Sequence, residues 1–288
     1  MKDKSVGCIG MGFVGGSVFR GFNLYNEVRG FDIDPKKCTH TVREVLDCDF
    51  VFISVPTPME TVEGGKGDPS FVNAVLKSIV EMGYREETVF ILKSTVPIGT
   101  TDRCISEYGI KNLIHSPEFL TERNALVDFI TPARHIIGGQ SSYAMNALKD
   151  LYEYRFPGVP VHLMTAMSAE QVKYTANCFF AVKIMFFNEM RLLSDALQTD
   201  WDCVMKGVLS DGRIGMSHTD VPGWDGDFGF GGKCFSKDIN ALIAVCCENG
   251  IDPLVLKAAW EQNKNVRKNW DWAEIDGAVS KGENDETE

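Results

Sequence analysis

"VGCIGMGFVGGS", residues 6–17, decides how the chain begins to fold. The apolar run Ser5–Ile9 reads as a strand and Val14–Asn23 as a helix, with G-x-G-x-x-G between them at Gly10, Gly12 and Gly15. In that setting Gly10 permits a tight turn and Gly12 lets a pyrophosphate approach the backbone. Gly15 allows the helix to pack closely on the strand. The phosphates would rest on the helix N-terminus, where unpaired N–H groups and the dipole favour anions. A second strand ends at Asp32, twenty residues past Gly12, where an acid can hydrogen-bond an adenosine ribose. The spacing predicts a dinucleotide site, and Asp32 would repel a 2′-phosphate, so the expected cofactor is NAD rather than NADP.

Outward from that loop the first half alternates short apolar runs with amphipathic stretches. Strands are expected at Val28–Asp32, Phe50–Val55, Val89–Lys93, Asn112–His115 and Arg134–Gly138. Helices are expected at Ser70–Met82, Thr100–Tyr108 and Ser142–Tyr154. This is the α/β pattern of a Rossmann-type parallel sheet covered by helices. From Ser168 the texture changes. "SAEQ" reads as a capping box, and Val172, Ala176, Phe179, Phe180, Ile184, Phe187, Met190, Leu193 and Leu197 carry a helical period behind it. One long helix to about Gln198 is expected, apolar on more than one side, with helices at Trp201–Leu209, Lys237–Asn249 and Pro253–Lys268 after it. The expected division is a cofactor domain over 1–166, a smaller all-helical domain over 167–275 and a disordered acidic tail over 276–288.

Composition narrows the function. The 288 residues carry a net charge of −11, which argues against a generic nucleic-acid or anionic-membrane binder. No stretch is long and apolar enough to span a bilayer, and the N-terminus lacks a signal-peptide pattern. The nine cysteines form no C-x-x-C pair and no metal-ligand spacing. A reduced, cytoplasmic chain without a metal is the natural reading.

Several stretches concentrate polar groups where a plain core has no use for them. "LKSTVPIGT" (92–100) puts Ser94 and Thr95 at the carboxyl edge of the sheet, where ligands of such folds bind. "HSPEFLTERNA" (115–125) spaces Glu118 and Glu122 for one helical face, and the long helix spaces Lys173 and Asn177 the same way. His115, beside them, reads as structural. "GFGGKCFSKD" (229–238) sets Cys234 at or near a helix start, with Asp238 one turn on. The Gly-rich segment 210–234 before it is long for a connection, and loops of that length are commonly functional.

These stretches, in order, resemble the UDP-glucose/GDP-mannose dehydrogenase family, which oxidises the C6 alcohol of a nucleotide sugar to a carboxylate. The matching pieces are G-M-G-F-V-G, S-V-P-T-P (54–58), K-S-T-V-P (93–97), P-E-F-L-T-E-R (117–123), K-Y-T-A-N (173–177), R-I-G (213–215) and G-F-G-G-K-C-F-S-K-D. The resemblance implies Cys234 as nucleophile, Lys173 as the cation beside a developing oxyanion, Asn177 as its assistant and Asp238 as the residue that places water. It implies Glu118 in thioester hydrolysis and Thr95, Glu122 and Thr57 beside the cofactor. Gly10, Gly12, Phe13, Val14, Gly15 and Asp32 would complete the NAD site. Glu118, Phe119, Leu120, Lys173, Asn177 and Gly231 would meet the nucleotide sugar, and Arg213 a neighbouring subunit's site. Lys237 has a matching position, although a helix-start surface lysine fits it equally well. A homodimer through the long helix is expected.

Three departures qualify the resemblance. Family members carry a third, C-terminal α/β domain that helps hold the substrate's nucleotide, and "WEQNKNVRKNW" (260–270) is followed by no counterpart of it. The stretch between Asp32 and Phe50 leaves room for little more than the helix "TVREVL". "MSHTDVPGWDGD" (216–227) lengthens the loop before Phe228. Two rivals stay open on the sequence: a two-domain 3-hydroxyacid dehydrogenase, which has no need of Cys234, and a dinucleotide-binding subunit that is non-catalytic or needs a separate partner.

Overall fold

The computed structural model describes residues 1–280. In chain order the strands are β1 (Ser5–Ile9), β2 (Glu27–Phe31), β3 (Phe50–Ile53), β4 (Met59–Thr61), β5 (Gly64–Gly67), β6 (Val89–Leu92), β7 (Leu113–His115), β8 (His135–Gly138) and β9 (Val161–Met164). The α-helices are α1 (Phe13–Phe22), α2 (Val42–Leu46), α3 (Ser70–Met82), α4 (Thr100–Tyr108), α5 (Ala125–Ile130), α6 (Ser142–Arg155), α7 (Ala166–Leu197), α8 (Trp201–Leu209), α9 (Lys233–Glu248) and α10 (Leu254–Val266). None is long and apolar enough to cross a membrane.

The chain divides into two compact units: Met1–Thr57 with Asp68–Lys173, and Pro58–Gly67 with the chain from Tyr174 onward. The first holds a seven-stranded sheet in the order β2-β1-β3-β6-β7-β8-β9. Its neighbours run parallel except β7 and β8, which meet antiparallel through the pair His115–Gly138. The central strands "FVFI" and "VFIL" are buried along their whole length, as strands covered on both faces must be. Alternation then sorts their side chains. Phe50 and Phe52 join Val18, Phe22 and Leu148 on one face, while Val51 and Ile53 join Leu76, Ile79 and Leu113 on the other. The expected Rossmann-type sheet is therefore present.

The second unit is helical apart from the β4–β5 hairpin, which the sequence reading did not anticipate. A Cβ on Gly64 (φ +134°) would lie 2.4 Å from Oδ1 of Asn240, so the glycine lets the hairpin press against α9. Trp272 and Trp260 donate their indole N–H groups to the carbonyls of Val62 and Glu63, each at 3.0 Å. Of the expected acidic tail, the part up to residue 280 is folded: the Met59 N–H donates to Ala278 O at 2.8 Å, and the Ser280 N–H donates to Met59 O at 2.7 Å. Residues 281–288 of that tail lie outside the described residues.

Two helix starts differ from expectation. Helix α7 begins at Ala166, so Ser168 is inside it; Thr165 supplies the cap, its Oγ1 accepting from the Ser168 N–H at 3.2 Å. Helix α9 begins at Lys233 rather than Lys237, because Gly232 (φ +70°) turns the chain directly into it. The change places Cys234 in the first turn. By contacts, the division between the units falls after Lys173 on α7.

Candidate active site

In the first unit the glycine loop has the geometry that a dinucleotide needs. Gly10 has φ +85°, and a Cβ there would meet Ser54 O at 2.3 Å. A Cβ on Gly15 would meet Gly10 O at 1.8 Å, so this packing admits only glycine. A Cβ on Gly12 would meet nothing within 4 Å: this face is open where a phosphate would approach. Phe13 and Val14, half-buried, open α1, whose first turn holds no acidic residue to compete with an anion. Asp32 follows β2 and accepts from the Met11 N–H at 2.6 Å and the Asp34 N–H at 2.9 Å. The carboxylate thus props the glycine loop. These residues fit a dinucleotide.

At the carboxyl edge of the same sheet lies a buried group of ionisable side chains. Lys173 Nζ pairs with Glu118 Oε1 at 2.8 Å, and Glu118 Oε2 accepts from the Leu120 N–H at 2.6 Å. Burial alone would push the Glu118 carboxyl up, but the Lys173 ammonium, these hydrogen bonds and the Lys93 charge hold it below the usual range. Lys93, buried just past β6, donates to Pro117 O at 3.1 Å. Burial, aided by the Lys173 charge and opposed by Glu118, brings its amine down to about 7. His115 is fully buried with neither ring nitrogen hydrogen-bonded, and burial, then the Lys93 and Lys173 charges, push it down to about 3.

Not every expected residue joins that group. Thr95 is half-buried and Thr57 buried at the edge, where Ser94 Oγ ties the segments together by donating to Val55 O at 2.7 Å. Glu122 is exposed in a 3-10 turn (Glu122–Asn124), and Glu118 lies in extended chain, so the two share no helical face. Side chains account for the difference: Glu118 takes the Leu120 N–H and Asp128 takes the Thr121 N–H at 2.7 Å, bonds that compete with a helix. Phe119 is half-buried, with the Arg134 guanidinium 4.1 Å over its ring.

In the second unit, Asn177 Nδ2 donates to Asp238 Oδ2 at 2.6 Å, and Lys237 Nζ pairs with Asp238 Oδ1 at 2.5 Å. Asp238 is 1% exposed, so its charge is held by both partners, and Lys237 is buried rather than a surface lysine. One turn before Asp238 on α9 stands Cys234, half-buried. All nine cysteines are thiols. Burial raises the thiols of Cys8, Cys48, Cys104 and Cys178, in keeping with inert core roles. Arg213 is 89% exposed on its side chain and bonded to Asp211 at 2.6 Å. Gly231 lies beneath Arg267 and Asp271, and a Cβ there would meet Arg267 Nη2 at 2.1 Å.

The sequence reading left Lys93, Arg267 and Asp271 without roles, although it quoted the segments that hold the first two. A lysine closing an apolar strand was the available signal for the first. Among the described residues no group of three or more His, Cys, Asp or Glu is placed to hold a metal.

Comparison with known proteins matches the chain in two parts. Residues 36–155 match the UDP-glucose/GDP-mannose dehydrogenase family, NAD binding domain, and residues 167–265 match that family's central domain. The chain belongs to the UDP-glucose/GDP-mannose dehydrogenase family. It is 34% identical over 226 residues to a UDP-glucose 6-dehydrogenase of Rickettsia bellii, covering 77% of this chain and 50% of that protein. With a UDP-glucose 6-dehydrogenase of Pseudomonas aeruginosa the identity is 37% over 253 residues, covering 82% and 53%. A solved UDP-glucose dehydrogenase from the hyperthermophilic archaeon Pyrobaculum islandicum superposes with a TM-score of 0.80 at 28% identity, over 91% of this chain and 68% of that one. The chain therefore spans about half the length of the curated relatives it matches.

Proposed function

We propose that this chain oxidises the C6 alcohol of a nucleotide sugar to the carboxylate, with UDP-glucose as the favoured substrate. The observation that carries this reading is the position of Cys234 in the first turn of α9, one turn before an Asp238 held by Asn177, in a chain of this family. When bound, NAD would supply the hydride acceptor for each of two oxidations, two per sugar.

The chain's own residues supply the rest. Loss of the first hydride and of the hydroxyl proton gives an aldehyde, and the Cys234 thiolate adds to it to form a thiohemiacetal. In this reading Lys173 is the cation that stabilises the oxygen carrying negative charge, a type of stabilisation that contributes about 3 kcal/mol in other enzymes. A second hydride leaves and the thiohemiacetal becomes a thioester. Asp238 and Glu118 place the water that cleaves it, giving the carboxylate and restoring the thiol. A thiol at a helix N-terminus is favoured as thiolate by the N–H groups there. In this reading Asp32 and the Gly10–Gly15 loop hold the cofactor, with Thr57, Thr95 and Glu122 beside it, and Phe119, Leu120 and Gly231 meet the sugar nucleotide. Two copies pair through the face of α7 bearing Phe179, Phe186 and Leu193, whose side chains are exposed in one chain and spaced by sevens. Arg213 then serves the partner copy's site.

The test is to follow NADH while the purified chain meets NAD and a panel of UDP- and GDP-sugars. Two NADH per sugar, abolished in Cys234→Ala, is the expected result. One NADH per substrate with Cys234→Ala unaffected would overturn it in favour of a hydroxyacid dehydrogenase. NAD binding without turnover would mark a subunit that needs a partner.

A further inference from the structure

The run Phe228–Gly232 leads directly into Cys234, and it has little to hold itself in place. Three of its five residues are glycine, and Gly229 and Gly232 have φ of +69° and +70°. Glycine loses more conformational freedom on ordering than any other residue, so such a run stays put only if something fixes its backbone. Here side chains from elsewhere do so almost residue by residue. Asn188 Oδ1 accepts from the Gly229 N–H at 2.8 Å. Asn263 binds both sides of Phe230, accepting from its N–H at 2.7 Å and donating to its carbonyl at 3.0 Å. Arg267 Nη1 donates to Phe228 O at 3.3 Å, and the Asp271 carboxylate accepts from the Gly232 N–H at 3.0 and 3.1 Å.

The side chains that hold the run are themselves fixed. Arg267, 2% exposed on its side chain, is ion-paired to Asp225 at 2.6 Å and to Asp271 at 3.4 Å. Asp227 reaches back to the same segment, accepting from the Lys268 and Asn269 N–H groups at 3.0 and 2.9 Å. Gly231, the one member without such a bond, sits so close to Arg267 and Asp271 that any side chain would displace them. Arg267 and Asp271 lie beyond residue 265, where the match to the family's central domain ends.

We propose that the end of α10 and the turn after it form a clamp, Asn263–Arg267–Asp271, that positions Cys234. Asp271 is its last link: by taking the Gly232 N–H it fixes the residue that caps α9, two positions before the thiol. The clamp acts on the cysteine through the backbone, so these are positioning residues. The proposal rests on the role assigned to Cys234 above, but the fixing of the loop can be measured without turnover.

The test compares Asp271→Ala, which removes the acceptor, with Asp271→Asn, which keeps one. Hydrogen–deuterium exchange of the full chain is read on the peptide spanning 228–236, and alkylation of Cys234 by iodoacetamide is read by mass spectrometry of the same peptide. Asp271→Ala is expected to speed exchange in that peptide about tenfold with the sheet unit unchanged, and to move the Cys234 alkylation rate about threefold or more. Asp271→Asn is expected to restore both. Unchanged exchange in Asp271→Ala, or faster exchange with a wild-type alkylation rate, overturns the clamp. Persistent two-NADH turnover in Cys234→Ala would instead sink the cysteine mechanism while leaving the exchange result intact.

Discussion

Lys173 Nζ lies 2.8 Å from Glu118 Oε1, with the two side chains only 3% and 11% exposed. A buried pair of this kind is costly to break from one side, because the remaining charge has neither water nor partner. Glu118→Gln leaves Lys173 charged in the interior, and we expect a loss of about 3 kcal/mol, read from urea unfolding. Glu118→Gln combined with Lys173→Met should recover most of that loss; a double variant no more stable than the single one contradicts the pairing.

The fold's dependence on acid follows from two histidines. Burial pushes His115 and His135 down to about 3 each, against an ordinary value of about 6.5. Below that ordinary value the unfolded chain binds protons that the folded chain refuses. Their contribution is complete above about pH 6.5 and is lost as pH falls toward 3, at about 1.4 kcal/mol per pH unit for each. Denaturant midpoints measured from pH 7 to pH 4 should fall steadily, and more shallowly in His115→Asn.

Lys93 works in the opposite part of the range by the same rule. Its amine is brought down to about 7 by burial, against an ordinary value of about 10.4, so its contribution is complete above that value and is lost as pH falls toward 7. Stability should therefore rise between pH 7 and pH 10 in the wild type, and Lys93→Met should flatten this rise. An unchanged slope in the variant would show that other groups produce it.

Asp32 supports the glycine loop and, in the proposed cofactor site, meets the adenosine ribose. Asp32→Ala removes the acceptor of the Met11 N–H along with the charge, and NAD affinity should drop about tenfold by calorimetry, a loss typical of one charge-assisted hydrogen bond. The ratio of NADP to NAD affinity should rise in the same variant.

Glu170 shows how a helix start can be capped from far away. Gly99, before α4, has no side chain, and the Glu170 carboxylate accepts from the Gly99 and Thr101 N–H groups at 2.5 and 2.8 Å. Glu170→Ala should cost about 2 kcal/mol, since it leaves the buried Thr101 N–H and the half-buried Gly99 N–H without their acceptor. Chemical denaturation checks it.

The cofactor half was legible because its signals are local. A strand, a glycine loop and an acid at fixed spacing all act within the first 32 residues, and the six expected strands and the helices α1, α3, α4 and α6 fell within a residue or two of their expected ends, while β9 and α5 were not anticipated. What escaped depends on partners distant in sequence. Ser168 and Thr165 are both competent caps, and only the actual path of the chain into α7 decides between them. The stretch 58–67 has no period of its own and pairs because α9 and two tryptophans cover it. Glu118 and Glu122 have helical spacing, yet Asp128 and Glu118 itself take the N–H groups on which a helix would draw. Arg267 and Asp271 carry no motif; their meaning comes from the loop they hold, some forty residues upstream.

The β4–β5 hairpin also dictates an order of assembly. Its turn carbonyl at Val62 is satisfied by Trp272, 210 positions later, and β4 itself pairs with Val279. A nascent chain can complete every strand of the large sheet, from β1 to β9, while this ribbon still waits for its cover. Contacts closed over such a separation are slow to form, and an open two-stranded ribbon is marginal by itself. An expression boundary drawn after residue 173 would keep the sheet unit whole on paper yet leave residues 58–67 as an unprotected edge within it, a liability for aggregation that the full chain removes only near its end.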